Sequence, residues 1–131
     1  MVIDTSALLA ILLGEPEAER LVEAIAVDAT RLVGAPTLVE AAAVLMSRKG
    51  AQGPVVLDAL LQRLSIEVVS MTADGAAFAR TAYGRWGKGV GSAGVLNYGD
   101  CLAYGVAMAE GEPLLFKGDD FSRTDVLAAG Y

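Results

Sequence analysis

Short apolar runs of strand character recur along the chain, each separated from the next by stretches of helical periodicity, and this alternation restricts the fold more than any other feature. The runs are residues 1–3 (Met-Val-Ile), 31–35 (Arg-Leu-Val-Gly-Ala), 66–69 (Ile-Glu-Val-Val) and 113–116 (Pro-Leu-Leu-Phe). A short helix over 8–13 follows the first run and stops at Gly14. Glu15-Pro16-Glu17 then opens a helix over 15–27, with acids where the macrodipole favours them and Leu21, Val22 and Ile25 as its apolar stripe. Residues 37–49 are rich in Ala, Leu, Val and Met up to Gly50, and 54–64 place Val56, Leu57, Leu60, Leu61 and Leu64 at helical spacing. Further helices are predicted over 72–83, with Thr72 as N-cap, over 99–109, and over 122–127. Strands joined through helices must cross over, so the sheet is parallel and covered on both faces. The expectation is one domain spanning 1–131, with a three-layer α/β/α fold around a parallel sheet of four or five strands.

Four of these segments end on carboxylates: Val2-Ile3-Asp4, Thr37-Leu38-Val39-Glu40, Asn97-Tyr98-Gly99-Asp100 and Leu115-Phe116-Lys117-Gly118-Asp119-Asp120. Each acid alone has an ordinary local explanation. Asp4 and Asp100 can cap helices, Thr37-x-x-Glu40 is a capping-box pattern, and Gly-Asp-Asp suits a turn. Parallel sheets, however, form their sites outside the carboxyl ends of the strands, at a topological switch point, where all four segments can converge. Carboxylates gathered there repel one another and raise each other's pKa until a cation enters.

The chain has no histidine and one cysteine, Cys101, so hard-cation chemistry through oxygen ligands is favoured, with Mg²⁺ or Mn²⁺ rather than zinc. The missing histidine also removes His–His ribonuclease, Ser-His-Asp and His-ligated zinc mechanisms. Water activated by a cation survives, with one ion able to activate water and a second to stabilise the leaving oxygen of a phosphodiester. A net charge of −6 argues against holding nucleic acid by bulk electrostatics, but bound divalent cations would invert the field where a phosphate must sit. Asp4 interrupts the first apolar run, no stretch reaches the ~18 apolar residues of a membrane span, and a lone cysteine excludes an internal disulfide. A soluble cytoplasmic protein without membrane contact is expected.

At these residues the sequence resembles the PIN-domain family, and more closely the VapC-type toxins of toxin–antitoxin pairs. Met-Val-Ile-Asp-Thr-Ser-Ala-Leu at 1–8, Glu40, Leu-Asn-Tyr-Gly-Asp-Cys at 96–101, Pro-Leu-Leu-Phe-Lys-Gly-Asp-Asp-Phe at 113–121 and the following Ser-Arg-Thr-Asp carry the likeness, which spans nearly the whole chain. The resemblance implies a PIN-like fold and a Mg²⁺-dependent endoribonuclease that cuts transfer or ribosomal RNA, arrests translation and is silenced by a cognate antitoxin. It implies Asp4 and Asp100 as principal metal ligands, with Glu40 and a fourth acid completing the site. Asp120, directly before Phe121, matches the pattern; Asp119 is nearer the strand end. On this reading Asp4, Asp100 and Asp120 bind the ion and Glu40 orients water or a second ion, while Ser6 fits a position that supports the metal shell or a ligand carboxylate.

The stretch 84–94 holds five glycines and is read as the long irregular segment and a mobile loop. Arg80, Arg85, Trp86 and Lys88 around it, Lys117 beside the acidic turn, and Tyr98 are candidates to steer phosphate or stack a splayed base. The hydrophobic fraction of 54% leaves apolar surface for a partner, so a symmetric homodimer and an apolar antitoxin helix are expected. Two other classes fit parts of the pattern. One is a non-catalytic module that binds RNA or antitoxin; the other is a phospho-receiver-like signalling domain using Lys117, against which the third strand ends without an Asp to accept phosphate.

Overall fold

The computed structural model describes residues 1–91 and 94–131. Its elements run in the order β1 (Val2–Ile3), α1 (Thr5–Leu12), α2 (Ala18–Val27), β2 (Leu32–Gly34), α3 (Ala35–Lys49), α4 (Gln52–Arg63), β3 (Glu67–Val69), α5 (Ala73–Trp86), α6 (Tyr98–Glu110), β4 (Leu114–Leu115) and a short 3-10 helix (Asp120–Arg123). The four strands pair in parallel in the order β3-β2-β1-β4. From β1 the chain winds outward through β2 to β3, then returns to add β4 on the other side. The direction of winding therefore reverses between β1 and β4, and that is where a parallel sheet opens a crevice.

Alternation along the strands sorts the core into two halves. Ile3, Val33 and Leu115 point to the face covered by α1, α2, α3 and α4, among Leu8, Leu21, Ile25, Leu45 and Leu57. Val2, Leu32 and Leu114 point to the opposite face, covered by α5 and α6, among Ala82, Trp86, Leu96, Tyr104 and Val106. The three-layer α/β/α architecture expected from the sequence is thus formed with four strands. Helices α5 and α6 meet backbone to backbone: a Cβ on Gly105 would lie 2.3 Å from the Gly75 carbonyl oxygen, so only glycine permits that crossing. Among the described residues no helix is long and apolar enough to cross a membrane.

Three local expectations are corrected. Helix α3 begins at Ala35, not residue 37, because Pro36 is acceptable at the first turn and its fixed φ is preorganised for helix. Helix α5 runs on to Trp86, since burying that ring against Tyr104 (centroids 5.8 Å apart) rewards three more helical residues. Trp86 then bonds through its carbonyl to the N–H groups of Val95 and Leu96, so the described part of the glycine-rich stretch is tied down; Ser92 and Ala93 lie outside the described residues. The helix expected over 122–127 is replaced by the 3-10 turn and an extended tail. The Ser122 and Thr124 hydroxyls donate to the carbonyls of Asp119 and Phe121, competing with α-helical bonding. Beyond them the tail pairs alongside Leu114, covering the open edge of β4.

Candidate active site

Asp4 stands at the carboxyl end of β1 and is the N-cap of α1. Its Oδ2 accepts from the Ser6 N–H (2.9 Å) and from the Ser6 hydroxyl (2.6 Å). The same hydroxyl accepts from the Lys117 N–H at 2.9 Å, so its single proton is committed to Asp4 and the end of β4 is stitched to the start of α1. Asp4 is 3% exposed, and burial raises its pKa; the Ser6 bonds oppose the shift and the nearby Glu40 charge adds to it.

Glu40 lies one turn into α3 and is half-buried. Because α3 is capped by the Gly34 backbone, Thr37 sits inside the helix, buried and without a partner, and the Thr37–Glu40 capping box does not form. The Glu40 carboxylate is therefore free to reach toward α6. Its pKa is raised by burial, with Asp100 adding to the shift and the Thr5 hydroxyl opposing it. Thr5 Oγ1 is nonetheless buried without a hydrogen bond of ordinary geometry, a polar atom left over beside two acids.

Asp100 is the third residue of α6, and the N-cap is Asn97, not Asp100. Asn97 Oδ1 accepts from the Asp100 N–H and Asp100 Oδ2 from the Asn97 N–H, both at 2.8 Å, closing a capping box. The Asn97-x-x-Asp100 spacing carries that signal in the sequence. Burial pushes the Asp100 carboxyl up to about 6; the charges of Asp4 and Asp120 raise it further, against the Asn97 bond and the Lys88 charge. Asp120, exposed at the start of the 3-10 helix, therefore lies within electrostatic reach of Asp100, and Asp119 precedes it as an exposed helix cap.

Asp4, Glu40, Asp100 and Asp120 thus form a connected set of like charges at the β1/β4 reversal. Among the described residues no three of them close tightly enough to cage an ion unaided. The donor set is all oxygen and partly buried, the kind of chemistry that suits Mg²⁺ or Mn²⁺ rather than zinc. Burial pushes the Cys101 thiol up to about 11, so it stays protonated and is no nucleophile.

The residues read as nucleic-acid contacts divide. Tyr98 is 73% exposed on the first turn of α6 and lines, with Arg80, Tyr83 and Leu102, a cavity of about 720 Å³ between α5 and α6. Lys88 is exposed, and its charge reaches Asp100. Trp86 is a correction: it is buried, with Tyr104 at its edge and the Arg85 guanidinium 4.1 Å from its ring centre, leaving no face for a base. Arg85 is further engaged by Asp125 at 3.3 Å, which also accepts from the Tyr104 hydroxyl at 2.7 Å. Lys117 pairs with Glu15 and, at 3.4 Å, with Glu17. Sequence reading missed these acidic partners and Thr5, whose surroundings depend on distant neighbours, and it passed over Asn97, whose spacing to Asp100 was the available signal.

Acids at the strand reversal of a three-layer parallel fold are common to several families; here a family model described as the PIN domain matches residues 1–127. The chain belongs to the PIN-domain family. Its similar relatives are of the VapC type: a ribonuclease VapC from Mycolicibacterium smegmatis is 52% identical over 128 residues, 98% of either chain. Ribonuclease VapC30 from Mycobacterium tuberculosis is 49% identical over 126 residues, 96% of this chain and 95% of the relative. Among solved structures, Mycobacterium tuberculosis VapC20, described as a Sarcin-Ricin loop cleaving toxin, superposes with a TM-score of 0.75 at 19% identity, covering 96% of this chain and 95% of that one. VapBC2 from Rickettsia felis, bound to a DNA fragment from its promoter, gives 0.72 at 22% identity, covering 97% and 94%. At such identities these two similarities are of fold. Membership of this family replaces the phospho-receiver reading.

Proposed function

We propose that the chain is a VapC-type ribonuclease toxin: a divalent-cation-dependent endoribonuclease, using Mg²⁺ with Mn²⁺ as substitute, whose action on transfer or ribosomal RNA inhibits translation. The observation that carries this is the gathering of Asp4, Glu40, Asp100 and Asp120 at the strand reversal, with burial raising the pKa of the first three. The ribonuclease names of relatives at 49–52% identity support it.

Asp4, Asp100 and Asp120 would hold the cation, which would supply a lowered pKa for water and offset charge on the phosphate. Asp4 and Asp100 each have one oxygen, Oδ2, anchored by the fold, which fixes the direction of the other. Glu40, with its raised pKa, orients the attacking water and takes up its proton. Ser6 keeps Asp4 aimed, and Asp119 stays a flanking residue of the turn. Tyr98 and Lys88 meet the RNA beside the site, with Arg80 and Lys117 at its margins.

The protein works in the cytoplasm as a homodimer held silent by an antitoxin. Exposed apolar side chains, Val39, Met46 and Val55 among them, support partner contacts, as do solved neighbours described as VapBC2 and as a toxin–antitoxin complex from Klebsiella pneumoniae. The test is to map RNA 5′ ends after brief induction in cells, with Asp4→Asn as control. New ends that depend on Asp4 are expected; equal new ends with both proteins would sink this mechanism, and no new ends with either would leave a non-catalytic binding module.

A further inference from the structure

We infer that Gly99 is a positioning residue for Glu40: the absence of a side chain on the first turn of α6 is what allows the Glu40 carboxylate to lie where it does. The inference rests on the reading of Glu40 as part of the catalytic site. A Cβ built on Gly99 would stand 1.8 Å from Glu40 Oε2, 2.5 Å from its Cδ and 2.8 Å from Oε1, and no other group comes closer. The backbone of Gly99 is ordinary helix, the second residue of α6, so nothing in its conformation asks for glycine. Alanine is the better helix former.

The contrast with Gly105 identifies the purpose. At Gly105 an added Cβ strikes backbone, the Gly75 carbonyl, and the fold itself must move. At Gly99 it strikes only the far end of a flexible side chain, which can swing aside at little cost to the fold. The whole burden of the substitution therefore falls on the carboxylate. Displaced, Glu40 leaves the positive end of the α6 dipole and the partly buried position beside Asp100 in which burial first, and the Asp100 charge second, raise its pKa.

The experiment is a cycle of Gly99→Ala with Glu40→Ala and with Glu40→Asp, read by thermal unfolding and by cleavage of bulk bacterial transfer and ribosomal RNA. Gly99→Ala should leave the melting temperature unchanged or higher while slowing cleavage about 10–100-fold, the usual cost of a misplacement near 1 Å. Glu40→Asp draws the carboxylate back by one methylene, so adding Gly99→Ala to it should cost little further activity. In the Glu40→Ala background, where nothing is left to strike, Gly99→Ala should gain its full helix-propensity rise of about 2–4 °C, more than it gains beside Glu40. Equal melting shifts in both backgrounds, a marked loss of stability in Gly99→Ala, or wild-type cleavage by it would overturn the inference. Failure of the functional reading shows separately, as wild-type cleavage by Glu40→Ala itself or as no cleavage by any form; the melting cycle still decides the Gly99 contact.

Discussion

Asp100→Asn should make the cation-free protein more stable at neutral pH. The Asp100 carboxyl titrates at about 6 in the folded chain against 3.8 ordinarily, chiefly because burial disfavours its charge. Between about pH 4 and 6 the unfolded chain loses this proton while the folded chain keeps it, so the native state binds more protons and stability falls as pH rises through that window. Above about pH 7 the loss is complete and constant. Roughly two pH units at ~1.4 kcal/mol each set an upper bound of ~3 kcal/mol, and partial solvent access reduces it to ~1–2 kcal/mol. Asparagine retains an oxygen to accept from the Asn97 N–H, so the capping box survives. Unfolding followed by circular dichroism in EDTA should place the variant about 3–8 °C above wild type at pH 7.5, with the gap closing towards pH 4. Saturating Mg²⁺ should raise the wild-type midpoint and leave the variant nearly unmoved. A variant less stable than wild type in EDTA at pH 7.5, or a gap independent of pH, would refute the claim that burial of this charge strains the site.

Asp4→Asn should lower RNA cleavage at least ~10²-fold without unfolding the chain, because asparagine can still accept from Ser6 as N-cap; circular dichroism and single-turnover cleavage check both halves. Ser6→Ala removes a hydrogen bond that favours the charged form of Asp4, so the acid limb of the pH–rate profile should move to higher pH. Gly105→Ala should destabilise by ~1–3 kcal/mol in urea, since its Cβ meets the Gly75 carbonyl. Tyr104→Phe, which loses the bond to Asp125, should cost ~1 kcal/mol in the same assay.

The sheet and its helices were legible because they rest on periodicity: Val2/Ile3, Leu32/Val33 and Leu114/Leu115 alternate between two cores, as apolar runs between helices require. Element ends were less so, because they turn on contacts between distant residues. The same capping-box spacing occurs at 37–40 and 97–100, yet only the second forms. Pro36 lets α3 start early and carries Thr37 inside it, whereas the buried Leu96, bridged to Gly87, delivers the chain to α6 at Asn97. Trp86 read as an exposed stacking residue from its glycine-rich surroundings, but a ring of that size buries wherever a partner such as Tyr104 is available. The positions of the acids along the chain were readable; what Glu40 touches was not, since Gly99 is distant in sequence and signals nothing by its type.

Capping and the proposed cation binding are compatible uses of the same carboxylates. Asp4 and Asp100 each accept at Oδ2 from a local backbone N–H, as helix starts require, and those bonds lower pKa values that burial has raised. The compensation is incomplete: the Asp100 carboxyl still stands at about 6, with the charges of Asp4 and Asp120 against it. A fold that needed only caps could have placed these acids at the surface, where they cost nothing, or used serine and asparagine, which cap as well without charge. The residual strain is what a divalent cation would relieve, so the caps serve to hold in place a charge cluster that the folded chain alone leaves unsatisfied.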